Sequence, residues 1–314
     1  MHKKLLSIMA VVMALPGAAL SQDIANWTVE VGQNYRLVPD ITYLVADAYE
    51  SKLDVIGPAD TSRRLPTLLF IHGGGWVGGD KDAMFLRLLP YLEMGFAVVN
   101  VEYRLGAVAL APAAVEDCRC ALRWTIEHAE EYGFDANRIV VTGTSAGGHL
   151  TLTTGMLPAS AGLDRLCPSI RPEGGRADAY EPEMPVAAMV NFYGITDVAD
   201  LVEGPNAKLY AVRWMGGMAD WREIARRVSP LEYVRAGLPP ILTIHGDADP
   251  IVPYQHGVQL HEALQKAGVA TQLHTVAGGG HGGFNLEENL EVMRVIRAFL
   301  REHGIIDAAS SSDQ

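Results

Sequence analysis

The chain contains few cysteines, 3 in 314 residues. Three cysteines do not make a disulfide scaffold. Cys118 and Cys120 are too close together on one predicted helix to pair with each other, so at most one bridge is possible, from either of them to Cys167. Free structural thiols are the expected state. No Cys/His spacing typical of a zinc site occurs, and we expect neither a metal nor a cofactor.

Positive charge is also scarce. The sequence has 25 Lys and Arg against 37 Asp and Glu, a formal net charge of −12 at pH 7. Such an acidic balance argues against a nucleic-acid partner. Internal repeats are absent as well, so no repeat architecture is expected. The N-terminal apolar run, residues 5–15, is too short to span a membrane.

The N-terminus predicts export. Lys3 and Lys4 precede the apolar run, and small residues follow it up to a cleavage point after Ser21, which is the pattern of a signal peptide at residues 1–21. No cysteine follows the run directly, so a lipoprotein anchor is not expected. Cleavage would remove two lysines and no acid, taking the formal net charge from −12 to −14. We therefore expect a secreted or periplasmic protein.

Segments typical of strands and of helices alternate through the centre of the chain. This alternation predicts a mainly parallel sheet with helices on both faces. The predicted strands of that sheet are residues 67–71, 97–101, 138–142, 186–192, 240–245 and 271–276, with antiparallel strands at 27–31, 41–45 and 51–55 upstream. The predicted helices are residues 81–94, 113–132, 146–156, 254–267 and 286–303.

One α/β domain at residues 22–307 is expected, because a length of roughly 290 residues is common for a single α/β domain. Two stretches interrupt the alternation. Residues 158–185 are rich in Pro, Gly and charge, and residues 197–234 carry scattered aromatic side chains that predict a helical insertion over the sheet edge. Long insertions often form lids or binding loops, so both are expected near the functional site. Residues 308–314 are predicted to be a disordered tail.

The segment Gly143-Thr144-Ser145-Ala146-Gly147 lies between a β-branched run and a helix-compatible run. In this strand–turn–helix context Gly-x-Ser-x-Gly predicts a nucleophile elbow. Glycine at positions 143 and 147 removes the Cβ atoms that would collide in so tight a turn. Ser145 is therefore the candidate nucleophile, at the start of a helix whose dipole favours negative charge. His149, one turn further on, is expected to be structural.

An aspartate and a histidine follow later strands. The carboxyl ends of parallel strands meet at one sheet edge, so residues 245–253 and 278–284 should lie beside the elbow. His281 would take the proton of Ser145 and return it to the leaving group. Asp249 would hold the histidine tautomer. Asp247 competes for this role, but we expect it to tie its loop together through backbone hydrogen bonds.

Three consecutive glycines, 73–75, follow the strand at 67–71. Consecutive glycines allow several backbone N–H groups to point at one spot, as a tetrahedral oxyanion requires. The predicted oxyanion hole consists of the N–H groups of Gly74, Gly75 and Ala146. His72 is expected to organise the loop rather than act as a base. The candidates for the substrate pocket are Trp76, Tyr210 and Trp214.

Together these motifs resemble those of the α/β-hydrolase superfamily over nearly all of the chain. The resemblance points in particular to exported esterases of the bifunctional feruloyl-esterase/acetylxylan-esterase-like and hormone-sensitive-lipase-like branches. Thr144 stands where the second branch usually has Asp, which favours the first. The resemblance implies a serine carboxylesterase acting on short-chain or aryl esters of acetyl or feruloyl type, either small molecules or linked to polysaccharide. The matching segments are HGGGW at 72–76, GTSAGG at 143–148, HGDADPIVP at 245–253 and GHGGF at 280–284.

Three alternatives remain. The pattern at 72–76 is also similar to that of arylformamidases, so amide cleavage of the arylformamidase or peptidase kind is possible. Residues 73–78 match Gly-x-Gly-x-x-Gly after a strand, and Glu102 ends the next strand, which imitates a dinucleotide-binding fingerprint. That interpretation leaves Ser145 and His281 unexplained. A catalytically inactive binding module would keep the fold and resist serine-directed phosphonates.

Overall fold

The structure is a computed structural model that describes residues 16–168 and 184–307, with side chains described from residue 25 onward. Most of the predicted signal peptide, the centre of the first insertion and the whole predicted tail lie outside the described residues. Within the described ranges, no helix has the length and apolar character needed to cross a membrane.

In the described part of the chain, eight strands form one sheet in the order β1-β2-β4-β3-β5-β6-β7-β8. The strands β1, β2 and β4 pair antiparallel, and the pairs from β4 through β8 are parallel. This is the mainly parallel sheet of an α/β-hydrolase fold, as predicted. The strands are β1 (Tyr35–Ala46), β2 (Tyr49–Pro58), β3 (Leu65–Ile71), β4 (Ala97–Val101), β5 (Phe134–Thr144), β6 (Ala188–Phe192), β7 (Ile241–Gly246) and β8 (Thr271–Val276).

Helices cover both faces of the sheet, and short 3₁₀ helices occur at Asp82–Leu88, Ala199–Leu201 and Pro230–Tyr233, among others. Core residues of α3, α5 and α8 pack on one face, and those of α2 and α9 on the other. The α-helices of the described residues are α1 (Pro16–Asn34), α2 (Leu89–Glu93), α3 (Ala113–Glu127), α4 (Ala129–Tyr132), α5 (Ala146–Met156), α6 (Leu209–Met215), α7 (Trp221–Arg227), α8 (Gln255–Lys266) and α9 (Leu286–Glu302).

The central strand β3 shows why these segments form a two-sided sheet. Leu69 and Ile71 belong to one hydrophobic core, whereas Leu68 and Phe70 belong to the other. Successive side chains of a strand point to opposite faces, so a continuous apolar run serves two cores at once. All four side chains are buried. The ends of these buried strands therefore present their loops at one edge of the sheet, where a site can form.

The prediction of a strand at residues 27–31 is wrong, because helix α1 covers these residues and ends at Asn34. The alternation of Trp27, Val29 and Val31 resembles a strand, but none of these residues pairs with the sheet. The strand β2 pairs with β1 along its whole length, from Tyr35 opposite Pro58 to Ala46 opposite Tyr49, and its other edge is paired with β4. Trp27 packs from the helix against the hydrophobic core that contains Leu92, so tertiary context overrides the local β propensity.

Two predicted helices are divided. Residues 81–94 form a 3₁₀ helix followed by the short helix α2, which carries Pro90 in its first turn. Proline lacks an N–H and is tolerated only near a helix start, so a helix must begin there. Residues 113–132 divide at His128 into α3 and α4. The other predicted elements lie within a few residues of the observed bounds, except that β1 begins at Tyr35 and not at the predicted residue 41.

The expectation of free thiols is wrong for two of the cysteines. Cys120 and Cys167 form a disulfide, and Cys118 is free and buried. The cause is the path of the first insertion, whose described part returns to α3. The guanidinium of Arg119, the neighbour of Cys120 on α3, bonds the carboxylate of the buried Asp164 at 3.1 Å. The insertion therefore brings Cys167 to α3, which sequence spacing could not reveal.

Candidate active site

Ser145 lies in a strained turn between β5 and α5. Its φ of 59° and ψ of −120° are unusual for a residue with a side chain. The turn approaches the end of β3 so closely that a Cβ at Gly143 would lie 2.4 Å from the carbonyl oxygen of Ile71, and one at Gly147 would lie 2.2 Å from the same atom. Both positions therefore require glycine. The N–H of Ser145 donates to the carbonyl of Phe192 at 2.9 Å, which fixes the turn against β6.

The structure brings Ser145, Asp249 and His281 together. His281 Nε2 lies 2.8 Å from Ser145 Oγ, and His281 Nδ1 lies 2.7 Å from Asp249 Oδ2. Because Asp249 can only accept when ionised, His281 donates from Nδ1 and accepts from the serine hydroxyl at Nε2. The Asp249 side chain is fully buried and that of His281 is 18% exposed. The line of groups therefore leads from a reachable serine to a carboxylate shielded from water.

The carboxylate of Asp249 is surrounded by N–H donors. Oδ1 accepts the backbone N–H groups of Ile251 and Val252 at 2.8 and 3.0 Å. Oδ2 faces His281 Nδ1 and, at 3.3 Å, Nε2 of the buried His245. Burial alone would raise the pKa of Asp249, but hydrogen bonds from His245, His281 and the backbone outweigh it and hold the pKa well below the ordinary 3.8. Asp249 therefore stays ionised at neutral and mildly acidic pH.

The second aspartate of the loop has a different place. Asp247 is exposed, and its Oδ1 accepts the N–H of Gly278 at 2.6 Å. This bond links the loop that carries Asp249 to the loop that carries His281. Asp247 therefore ties the two loops together through the backbone and does not contact the histidine.

Two residues near His281 were not identified from the sequence as part of the site. His245 belongs to the motif at 245–253. Its position directly before the loop that carries Asp249 is the only sequence signal that could have identified it. Tyr193, with φ of 38° directly after β6, has its ring centroid 4.6 Å from that of His281. A Cβ at Gly282 would lie 2.7 Å from the Tyr193 hydroxyl, so the glycine after His281 allows the tyrosine to pack there. Nothing in the sequence pattern distinguishes this tyrosine.

The glycine loop after β3 supplies backbone N–H groups. Gly74 and Gly75 have φ of 122° and 60°, and a Cβ at Gly74 would lie 1.9 Å from the carbonyl oxygen of Gly78. Across the described residues, no group accepts the N–H of Gly74 or Gly75. Ala146 begins α5, where the first N–H groups of a helix lack partners within the helix. These groups are therefore free to bind an oxygen.

Two of the three pocket candidates do not line a pocket. Trp76 and Trp214 are both completely buried and stack with ring centroids 4.2 Å apart. The φ of 61° at Trp76 accompanies this inward packing, so the two indoles support the loop from beneath rather than face a substrate. Tyr210, one turn before Trp214 on α6, keeps some exposure, and its ring packs directly over the α-carbon of Gly75. Burial and then the charge of Asp249 raise the pKa of its hydroxyl.

The dinucleotide-binding alternative is not supported. The chain after residues 73–78 continues into the 3₁₀ helix Asp82–Leu88 and not into an α-helix whose first turn could receive a pyrophosphate. Glu102 is used by the loop itself. One of its oxygens accepts the N–H of Lys81 at 2.8 Å, and the other lies 3.5 Å from Nε2 of the buried His72. His72 therefore sits within the loop, in keeping with the organising role expected of it.

His149 joins three parts of the site. The indole N–H of Trp76 donates to His149 Nδ1 at 3.1 Å, and His149 Nε2 donates to the carbonyl of Val228 at 2.6 Å. The glycine loop, the helix after Ser145 and the second insertion are thus connected through one neutral imidazole. Burial lowers the pKa of His149 to about 4, against the opposing effect of the bond to Val228. A proton on Nδ1 would face the Trp76 N–H.

We therefore expect this imidazole to make the fold sensitive to acid. The unfolded chain takes up a proton at the ordinary 6.5 and the folded protein only near 4, so stability falls as the pH drops through that window. The loss should be on the order of 3 kcal/mol. Urea unfolding of the parent and of His149→Gln between pH 7.5 and 4 measures it. The parent should lose stability more steeply, and parallel curves would contradict the structural role.

Comparisons with known proteins show what the chain is similar to. The model of the BD-FAE family matches residues 53–264, and that of the phospholipase/carboxylesterase family matches residues 231–303. Esterase LipQ of Mycobacterium tuberculosis is 28% identical over 82% of this chain and 60% of its own length. Ethyl acetate hydrolase of Pseudomonas putida is 29% identical over 85% of this chain and 83% of its own.

A solved esterase has the same fold. Esterase 2 of Thermogutta terrifontis, in its structure with butyrate bound, superposes with a TM-score of 0.69 and 26% identity, covering 90% of this chain and 98% of that one. Several other curated esterases and lipases are longer. This chain spans between 44% and 58% of their length.

Proposed function

Because the chain belongs to the BD-FAE family, we propose that it is a carboxylic ester hydrolase that works through a serine nucleophile. The observation that carries the proposal is the continuous line from Ser145 Oγ through His281 to the buried Asp249, with contacts of 2.8 and 2.7 Å. The strained elbow and the free N–H groups of the glycine loop support the same chemistry. The relatives named as esterases support the reaction class.

The first half of the reaction forms an acyl-enzyme. His281 Nε2 takes the proton of Ser145 as Oγ bonds to the ester carbonyl carbon. The carbonyl oxygen becomes an oxyanion, which the N–H groups of Gly74, Gly75 and Ala146 stabilise. The ionised Asp249 stabilises the imidazolium of His281. The C–O bond to the alcohol then breaks, and the alcohol leaves with the proton from Nε2.

The second half repeats these roles with water. His281 takes a proton from water, whose oxygen attacks the acyl carbon, and the same N–H groups stabilise the second oxyanion. Collapse breaks the bond to Ser145 Oγ, which recovers its proton from Nε2. The free acid leaves, and the enzyme returns to its starting state. No step calls for a metal or an organic cofactor, so all of the chemistry falls to these side chains and N–H groups.

The substrate that we propose is a short-chain or aryl ester. The Tyr210 ring covers the α-carbon of Gly75, and the stacked pair Trp76 and Trp214 fills the space beneath the loop. We infer that this packing leaves little room beside the oxyanion for a long acyl chain. One relative is named for the hydrolysis of ethyl acetate, and one similar esterase was solved with butyrate bound, which supports a small acyl group here. Export, and polysaccharide-linked acetyl or feruloyl esters as natural substrates, stay predictions of the sequence.

The nucleophile is tested by Ser145→Ala, with Ser62→Ala as the matched control. Removing Oγ should lower kcat for p-nitrophenyl acetate on the order of 10⁴-fold or more, because only the oxyanion donors and substrate binding remain. The variant should also lose covalent labelling by paraoxon, read by intact mass. Ser62 is an exposed serine bonded to Asp60, and its variant should keep both properties. Substantial turnover by a folded Ser145→Ala enzyme would refute the mechanism.

Substrate scope is tested by comparing kcat/KM for p-nitrophenyl acetate, butyrate and palmitate, with methyl ferulate and an N-formyl arylamine alongside. We expect the two short esters to exceed palmitate by at least tenfold. Tyr210→Ala should narrow that gap because the ring no longer covers Gly75, whereas Tyr210→Phe should preserve it. A palmitate preference would refute the short-acyl proposal, and faster turnover of the formyl amide would favour the amidase alternative.

A further inference from the structure

His245 is a buried histidine for which the catalytic scheme above has no task. It is the fifth residue of β7, its side chain is completely buried, and its Nδ1 has no hydrogen-bond partner among the described residues. An unsatisfied buried polar atom costs stability, and an apolar side chain of similar size would avoid that cost. The reason for an imidazole at this position must therefore lie at its other nitrogen.

That nitrogen faces two oxygens. His245 Nε2 lies 3.1 Å from the carbonyl oxygen of Val252 and 3.3 Å from Asp249 Oδ2. Neither oxygen can donate a hydrogen, so Nε2 carries the hydrogen, which bonds the Val252 carbonyl and faces Asp249 Oδ2 at the longer distance. Asp249 Oδ2 is also the oxygen that accepts from His281 Nδ1. Two histidines thus share one oxygen of the same buried carboxylate.

Resting on the proposed function, we propose that His245 is a positioning residue for the acid of the catalytic line. Together with the two backbone donors on Oδ1, its N–H fixes the plane of the Asp249 carboxylate so that Oδ2 points at His281. It also withdraws charge from Oδ2. The carboxylate is then a weaker base and leaves the Nδ1 proton on His281 when the imidazolium forms. No proton moves to or from His245.

The packing around His245 holds it in this place. A Cβ at Gly257, in the first turn of α8, would lie 3.0 Å from His245 Nδ1, so the helix lies close against the edge of the imidazole. The rings of Tyr193 and Tyr254 make edge contacts with it. The titratable groups that face His245 are therefore Asp249 in its own loop, Tyr193 after β6, and Tyr254 and His256 at the start of α8.

Two amide substitutions at His245 distinguish a role in positioning Asp249 from a role in filling space. The amide nitrogen of glutamine reaches the position of histidine Nε2, whereas asparagine reaches only as far as Nδ1. His245→Asn should therefore lower kcat by about 10- to 100-fold, by analogy with outer-shell partners that orient metal ligands, with KM within about twofold. His245→Gln should recover most of the loss. In His245→Asn the acid limb of kcat/KM should move to higher pH, because Oδ2 has more charge to stabilise the His281 imidazolium.

A matched control and a second variant complete the experiment. His256→Gln alters another buried histidine, which bonds Asp200 at 3.1 Å and does not contact Asp249, and should leave kcat and the pH limb unchanged. Gly257→Ala displaces His245 without changing it and should lower kcat in the same direction as His245→Asn. That variant keeps the test decisive if His245→Asn fails to fold.

A readout without substrate distinguishes this inference from the proposed function. The downfield proton resonance of the bond between His281 and Asp249 should weaken or shift in His245→Asn and return in His245→Gln, whether or not the parent hydrolyses any ester. An unchanged resonance, kcat and pH limb in a folded His245→Asn or Gly257→Ala protein would overturn the inference. A loss of kcat that His245→Gln does not relieve would overturn it as well.

Discussion

The close approach of the elbow to the end of β3 is the constraint on which the site depends. The strands β3 and β5 are parallel neighbours with Ile71 opposite Gly143, and the carbonyl oxygen of Ile71 occupies the space where Cβ atoms at 143 and 147 would be. Only glycine permits this contact. It places Ser145 directly beside the loop that leaves β3, so the proposed nucleophile and the proposed oxyanion donors lie side by side. The two hydrophobic cores that bury both faces of the sheet hold Ser145 in its strained backbone conformation.

Around this contact, fixed N–H donors stabilise the buried negative charge in place of water. The Asp249 carboxylate is shielded completely, yet it faces N–H groups from its own loop, from His245 and from His281. Such prearranged donors need no reorganisation when an imidazolium forms. On the other side of the elbow, His149 joins the glycine loop to the second insertion. Its hydrogen bonds there require a neutral imidazole.

The sequence predicted the parts of the site that backbone geometry dictates. The glycines around Ser145 and the motifs after β7 and β8 are needed wherever this turn and this edge occur, so spacing reveals them. It could not reveal Tyr193, which acts through packing against His281. Nor could it reveal the burial of Trp76 and Trp214, or the disulfide from Cys120 to Cys167, because each depends on how distant segments meet. The strand predicted at 27–31 failed for the same reason.

The central claim is that Ser145, His281 and Asp249 form the catalytic line. A comparison of the two aspartates in one loop tests it most directly. Asp249 and Asp247 differ by two positions and have the same chemistry, but only Asp249 contacts His281, while Asp247 bonds the N–H of Gly278. The measurement is kcat for p-nitrophenyl butyrate in Asp249→Asn and Asp247→Asn, both checked for folding. We expect a loss on the order of 10⁴-fold for Asp249→Asn, through the wrong histidine tautomer, and less than about tenfold for Asp247→Asn. A larger loss at Asp247 would contradict the assignment of the catalytic line.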